Sequence, residues 1–310
     1  MRIHTPAARL TAGLLFACVL AAANIGNAAP PATSTAPAAA SSTASTLEAE
    51  QEAAYKAAKA VQKAGPADIA LRDQAHLHLP AGYIWVPTPA AAQLMRSMGN
   101  RTDDTFIGAI FPADDADWMV VVKFVKEGYI KDDDAKDWNA DDLLKSLKEG
   151  TEAANEERAK RGIPGIEVTG WAQKPQYEAS THRLVWSALS KKKGGTGDNQ
   201  GVNYNTYALG REGYLSLNLI TNANDLEKYK PDAAKLLGAL QYDDGKKYAD
   251  FNSSTDKVAA YGLAALVAGV AVKKLGFFAL ALAFLAKFAK IAVVAGGAAL
   301  WGIAKLFKKS

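Results

Sequence analysis

In residues 118–125 both alternating sets of side chains are largely apolar: Trp118, Val120, Val122 and Phe124 on one side, Met119, Val121 and Val125 on the other. Successive side chains of a strand point to opposite faces, so a strand of this composition has to be covered on both. A single sheet with one wet face is thereby excluded and a layered fold is required. Cover is at hand. Asn139 is placed to cap a helix from Ala140 to about Arg161, with Leu143, Leu144, Leu147 and Ala154 on its inward face and Gly162 and Pro164 closing it.

Other strands are expected at 166–171, 183–189, 202–209 and 214–220, and earlier at 83–86 and 106–111. Ile69, Leu71, Leu77 and Leu79 mark a strand pair or one long strand ending at Pro80-Ala81-Gly82. In 214–220, Leu215, Leu217 and Leu219 oppose Ser216 and Asn218, which reads as a half-exposed strand. A short helix is expected over 89–98, and a final one from about Pro231 carrying Leu236, Leu237 and Leu240. Runs of strands with helices between the groups argue for an α+β domain over residues 66–250, a largely antiparallel sheet with helices packed on it.

The ends differ from this middle. Residues 1–28 read as a signal peptide: Arg2 and Arg9, an apolar run over 10–22, and a small-residue cleavage site at Gly26-Asn27-Ala28. Cys18, the single cysteine, lies inside that run, so it is either removed with the signal or lipidated. Residues 29–46 are an Ala/Pro/Ser/Thr tether, and Ser45 with Glu48 has the form of a capping box opening an Ala-rich helix over 47–65. Residues 256–310 are expected to form a C-terminal apolar helical membrane anchor. No uncharged piece of it reaches the roughly 20 residues of a clean span. On a helical wheel, however, Lys273, Lys287, Lys290, Lys305, Lys308 and Lys309 gather in an arc of roughly 100°. Such a stripe suits an in-plane amphipathic helix, or spanning helices whose lysines face a partner or water. Gly262, Gly269 and Gly276 recur every seventh residue and offer a seam for helix packing and a homo-oligomer through the tail.

The formal net charge of +4 owes much to those tail lysines, so the remainder is near neutral and unlike a nucleic-acid binder; membrane lipid is the partner the tail suggests. His76 and His78 share one face of a strand, as a metal site would want, but a third ligand is missing. Residues 131–137 are acidic, yet lack the central glycine and closing glutamate of a calcium loop. There is no nucleophile elbow and no phosphate-cradling loop, and His182 beside Ser180 and Ser187 defines no triad. No cofactor is implied. Aromatic residues concentrate in the later strands, and Trp171, Tyr177, Trp186, Asn203 and Arg211 are the candidate ligand or partner surface.

Several local patterns together resemble a bacterial family of uncharacterised, predicted membrane-anchored proteins, known only as a domain of unknown function. They are Gly128-Tyr129 with Asp132-Asp133-Asp134-Ala135, Gly170-Trp171 with Pro175 and Tyr177, and Leu184 with Trp186. Further along come Asn203-Tyr204 with Leu209-Gly210-Arg211 and Gly213, and Tyr248-Ala249-Asp250-Phe251 leading to Asp256 and Tyr261-Gly262. The resemblance implies an exported domain with a C-terminal membrane anchor and supplies no activity. The expectation is a non-catalytic binding or scaffolding module at the bacterial inner membrane, its main domain periplasmic, with another envelope protein as a possible partner. Two alternatives stand beside it: an envelope enzyme of hydrolase type using Asp132, Asp133 and Asp134 or His182, and a lipid-interacting or oligomeric tail.

Overall fold

A computed structural model of the 310-residue chain describes residues 38–98, 100–160, 164–195 and 200–268. The signal peptide, the first part of the tether, the lysine stripe, Gly269 and Gly276 lie outside these residues. So does the whole of the second compact unit, residues 270–310.

Helix α1 (Ala38–Val61) leads into β1 (Lys63–Ala64), β2 (Ala67–Leu71), β3 (Ala75–Leu79) and β4 (Tyr83–Pro87). Helix α2 (Ala90–Ser97), β5 (Phe106–Pro112), β6 (Met119–Val125) and a 3-10 turn at Asp133–Lys136 precede α3 (Ala140–Lys160). Four long strands follow, β7 (Ile166–Glu178), β8 (Arg183–Lys192), β9 (Gly201–Leu209) and β10 (Tyr214–Asn222). Helix α4 (Leu226–Gly238), β11 (Leu240–Tyr242) and the six-residue α5 (Leu263–Ala268) complete the order. The expected α+β class is thus observed. Eight strands form one antiparallel sheet in the order β1-β4-β5-β6-β10-β9-β8-β7, and β11-β3-β2 form a second.

Strand β6 is covered on both faces, as its composition demands. On the first face Val120, Val122 and Phe124, joined by Trp118 just before the strand, meet Leu215, Leu217 and Leu219 of β10. Above them lie Leu71, Leu77 and Leu79 of the small sheet and Leu226, Tyr229, Leu236 and Leu237 of α4. On the second face Met119, Val121 and Ile220 pack with Val86, Phe106 and Ala109 beneath Ala91 and Met95 of α2 and Ala58 of α1. Helix α3, expected to supply that cover, packs instead on β7 and α5. Its cap is as expected: Asn139 Oδ1 accepts from the N–H groups of Asp141 and Asp142 at 2.8 and 3.2 Å. Its far end is pinned by Asn155, which exchanges two hydrogen bonds with the backbone of Ile166 at 2.7 and 2.8 Å, tying helix to edge strand.

Several boundaries differ from expectation, among them that Leu240, expected in the last helix, opens β11 and that β7 runs on to Glu178. Helix α1 begins at Ala38, so Ser45 lies within it and does not open it. Helix α4 starts at Leu226 with Pro231 inside, because a 3-10 turn at Ala223–Asp225 feeds directly into it. Residues 256–262, expected as the first part of a helical tail, are not helical. They end a strap, residues 243–262, that crosses the hairpin and loop ends of the large sheet before α5 begins.

Candidate functional site: a polar trough on the second face

Register decides what floors the second face beyond the reach of α2. Partners in an antiparallel ladder share a face, so Trp186 of β8, Asn205 of β9, Asn218 of β10 and Val121 of β6 form one row across the sheet. Leu184, Tyr207, Ser216 and Lys123 form the next row, and Ala188, Asn203, Ile220 and Met119 the row on the other side. The floor is therefore polar at Asn203, Asn205, Ser216, Asn218 and Lys123. Helices α1 and α2 stand on one side of it, over β4 and β5, and α3 stands on the other, over β7.

Aromatic rings run along this floor. Trp171 meets Trp186 edge-on at 6.0 Å, Trp186 meets Tyr207 edge-on at 6.5 Å, and Tyr207 lies 5.1 Å from Tyr214. Trp186 is 4% exposed, whereas Trp171, Tyr207 and Tyr214 are half-buried. Burial pushes the phenols of Tyr207 and Tyr214 above their ordinary pKa, so both stay protonated. The Lys123 ammonium lies 3.9 Å from Asp103, and burial lowers its pKa against that carboxylate's pull.

Most polar groups here are paired. Trp171 Nε1 donates to the Ala140 carbonyl at 3.0 Å, and Asn205 Nδ2 donates to the Asn203 carbonyl at 3.1 Å. Two are not: Trp186 Nε1 and Asn218 Oδ1 are buried without a hydrogen-bond partner. The Trp186 N–H lies near enough to Tyr207 to favour its phenolate, but does not reach hydrogen-bonding geometry with it. A buried polar group left unmade costs about 1–3 kcal/mol, and native structures carry few of them. Part-exposed Asn203 and Asn218 beside the rings of Trp171, Tyr207 and Tyr214 mark the trough as the candidate site.

The expected surface residues divide. Trp171, Trp186 and Asn203 come together in the trough. Tyr177 pairs with Leu184 at the margin of the same face, where its hydroxyl donates to Asp132 at 2.7 Å and lies 3.1 Å from His182 Nδ1. Burial first, then Asp132, pushes the Tyr177 pKa upward. Arg211 is elsewhere, in the β9–β10 hairpin, gripping Asp256 through Nε at 2.7 Å and a terminal nitrogen at 2.8 Å. That guanidinium, aided by the Asn252 N–H, holds the Asp256 carboxyl well below the usual range. Asn205, Tyr207, Ser216 and Asn218 were not among the candidate surface residues expected from sequence. Their signal is an alternation in phase on 202–209 and 214–220, which points to one face only once the pairing is known.

The acidic loop and His182 serve the strap. Asp134 accepts from the N–H groups of Leu263 and Ala264, both at 3.0 Å, capping α5 from across the fold. Gly262 adjoins it because a Cβ there would lie 2.4 Å from Asp134 Oδ2. His182, Tyr248, Tyr129 and Phe251 stack in a column with successive centroids 4.1, 4.3 and 3.9 Å apart. On the outer face of the small sheet, Asp68 contacts His76 and His78 at 2.7 and 3.0 Å. Among the described residues no His, Cys, Asp and Glu group is arranged to hold a metal ion. A cleft of about 690 Å³ touches Tyr83, Trp118 and Tyr229 under an acidic rim. Those rings are buried in the first core, and the Tyr83 hydroxyl is already bonded to Asp232 at 2.7 Å.

Fold and site define an α+β domain whose large antiparallel sheet offers a polar, ring-lined trough between helical walls. The chain belongs to the family described as "Protein of unknown function (DUF2167)", whose model matches residues 63–297. No curated protein matches the sequence. Among solved structures, the solution structure of cyanobacterial PsbP (CyanoP) from Synechocystis sp. PCC 6803 is similar over 59% of this chain and 91% of that one, at 12% identity and a TM-score of 0.35.

Proposed function

We propose that the protein is a non-catalytic binding module of the bacterial cell envelope, held at the inner membrane by its C-terminal stretch with the folded domain periplasmic, and that it takes its ligand in the trough. The observation carrying this reading is the row of part-exposed polar and aromatic side chains on one face of the sheet, Asn203 and Asn218 with Trp171, Tyr207 and Tyr214. The groups an enzyme would use support the same reading by their other employment. Asp134 caps α5, Arg211 holds Asp256, and Asp132 and His182 are committed to Tyr177 and the ring column. Placement rests on the leader-like residues 1–28 and on the apolar, lysine-striped stretch after Ala268. No helix among the described residues is long and apolar enough to cross a membrane.

Two measurements test this. Fractionation with an alkaline carbonate wash is expected to leave the protein in the membrane pellet, and protease added outside the inner membrane is expected to digest the domain. Recovery in the cytosol overturns the placement. A photo-reactive residue at Ala188, beside Asn203 and Trp171 in the ladder, is expected to capture an envelope component in living cells. A clean blank there, with adducts from a position on the outer face of α1, overturns the trough.

A further inference from the structure

A cleft of about 690 Å³ opens between the β3–β4 turn at Ala81 and Gly82, the β5–β6 loop and the first turns of α4. Ligand clefts commonly measure about 300–1,000 Å³, so this one has room for a side chain with part of its backbone. Its floor rings, Tyr83, Trp118 and Tyr229, belong to the first core, so it lies on the side of the large sheet away from the trough. Register puts it at the Met119–Ile220 end of β6 and β10, whereas the strap crosses the end where Val125 meets Tyr214.

Charge says what kind of molecule would enter. Four carboxylates line the cleft, Asp114, Asp115, Asp117 and Asp232, against the one ammonium of Lys228, a surplus of three negative charges. Asp114 accepts from the Ala116 N–H at 3.1 Å, Asp232 from the Tyr83 hydroxyl at 2.7 Å, and Asp117 lies 3.5 Å from Asn222 Nδ2. None of these donors carries a charge, so the carboxylates are held in place without being neutralised. Lys228 is turned to Tyr229, its Nζ 3.1 Å from the hydroxyl and 4.8 Å from the ring centre, and Lys235 reaches the Tyr83 ring at 5.1 Å from outside the lining. The carboxylates are dispersed: among the described residues no group is arranged to hold a metal ion. Dispersed negative charge suits an organic cation.

One polar atom narrows the class. Trp118 is 4% exposed, yet its indole N–H meets no acceptor among the described residues and, unlike that of Trp186, is not closed over by protein. Because Trp118 lines the cleft, that donor is left to whatever enters. The floor rings themselves are too covered to stack on a ligand. The occupant therefore brings a cation for the rim and an acceptor for the floor, and a basic residue in a peptide carries both.

We propose that the cleft docks a lysine- or arginine-bearing peptide segment of a partner protein, its basic side chain meeting Asp115 and Asp117 and a backbone carbonyl accepting from Trp118 Nε1. Fluorescence polarisation on the detergent-solubilised full chain tests this with labelled, blocked tripeptides, lysine-alanine-lysine and its glutamate counterpart. Unlabelled cadaverine, with two ammonium groups and no carbonyl, serves as competitor. The lysine peptide is expected to bind, more weakly as salt is added, and the glutamate peptide is not. Asp115→Asn and Asp117→Asn should each weaken binding about three-fold and together about ten-fold. Lys228→Gln removes the like charge and should tighten it. All three positions are exposed or half-buried, so melting temperatures should hold.

Equal binding of the two peptides, unchanged affinity in the double aspartate variant, or no tightening in Lys228→Gln overturns the proposal. Displacement by cadaverine at the concentration of the peptide itself means that no carbonyl is read, which makes the cleft a site for small amines and overturns the peptide. The Ala188 adduct bears on the trough alone, so either site can fail without the other.

Discussion

Lys123 and two glycines show how single residues are constrained by what they adjoin. The Lys123 side chain is 16% exposed, and its charge is only partly answered by Asp103 at 3.9 Å. Burial holds its pKa below the usual lysine value, so the folded state disfavours the ammonium that the unfolded chain carries freely. Lys123→Met is therefore expected to raise stability by about 1 kcal/mol at neutral pH. Wild-type stability climbs between the lowered folded pKa and the ordinary value, so the gain should shrink there; melting curves at neutral and alkaline pH check both parts. Gly128 has φ of 99°, and a Cβ would lie 2.5 Å from the Lys257 carbonyl oxygen, which belongs to the backbone and cannot swing away. Gly128→Ala should cost about 2 kcal/mol or more. Gly262→Ala meets a side chain, Asp134, which can move only by giving up its cap on α5, a loss of about 1 kcal/mol. Denaturant midpoints of the two variants should fall in that order.

At the scale of elements the strap gives a structural role to many of the polar residues and glycines of the family resemblance. Gly210 bridges Lys247, Tyr129 bridges Val258, and the Tyr129 N–H donates to the Lys257 carbonyl at 2.8 Å. Arg211 and Asp256 close the crossing. Arg211→Ala or Asp256→Asn is expected to raise hydrogen exchange across residues 243–262 while leaving β9 and β10 protected. The folded pKa of Asp256 lies below its unfolded value, so its contribution is present above about pH 4, the ordinary carboxylate range, and is lost as pH falls through the folded value. The stability gap between wild type and Asp256→Asn should accordingly be flat from neutral to mildly acidic pH and close only below about pH 4. None of this was legible in sequence, because each contact joins residues far apart along the chain: Asp134 to Leu263, Arg211 to Asp256, Asp132 to Tyr177. The local devices were legible, such as the Asn139 cap and the two apolar faces of 118–125. Ser216 and Asn218 look like a wet face from alternation alone, and only the walls raised by α2 and α3 turn that face into a recess.

For the whole molecule the root of the tail matters most, because the folded domain extends past the point where the apolar stretch was expected to start. Leu263 and Val267 are fully buried, Leu266 is 8% exposed, and α5 packs on α3. Each such side chain contributes about 1.5–3 kcal/mol by leaving water, so α5 belongs to the stability of the domain as well as to whatever follows it. Two truncations separate these roles. A chain stopped after Ala268 keeps the latch at Asp256, the Asp134 cap and the buried face of α5; it should melt close to the full-length protein and be found in the soluble periplasmic fraction. A chain stopped after Thr255 loses all three and should be less stable by several kcal/mol, with the freed Asp134 and Arg211 exchanging with solvent. Equal melting of the two shorter chains would mean that α5 contributes nothing to the domain. Membrane retention of the chain ending at Ala268 would place the anchor before α5, not after it.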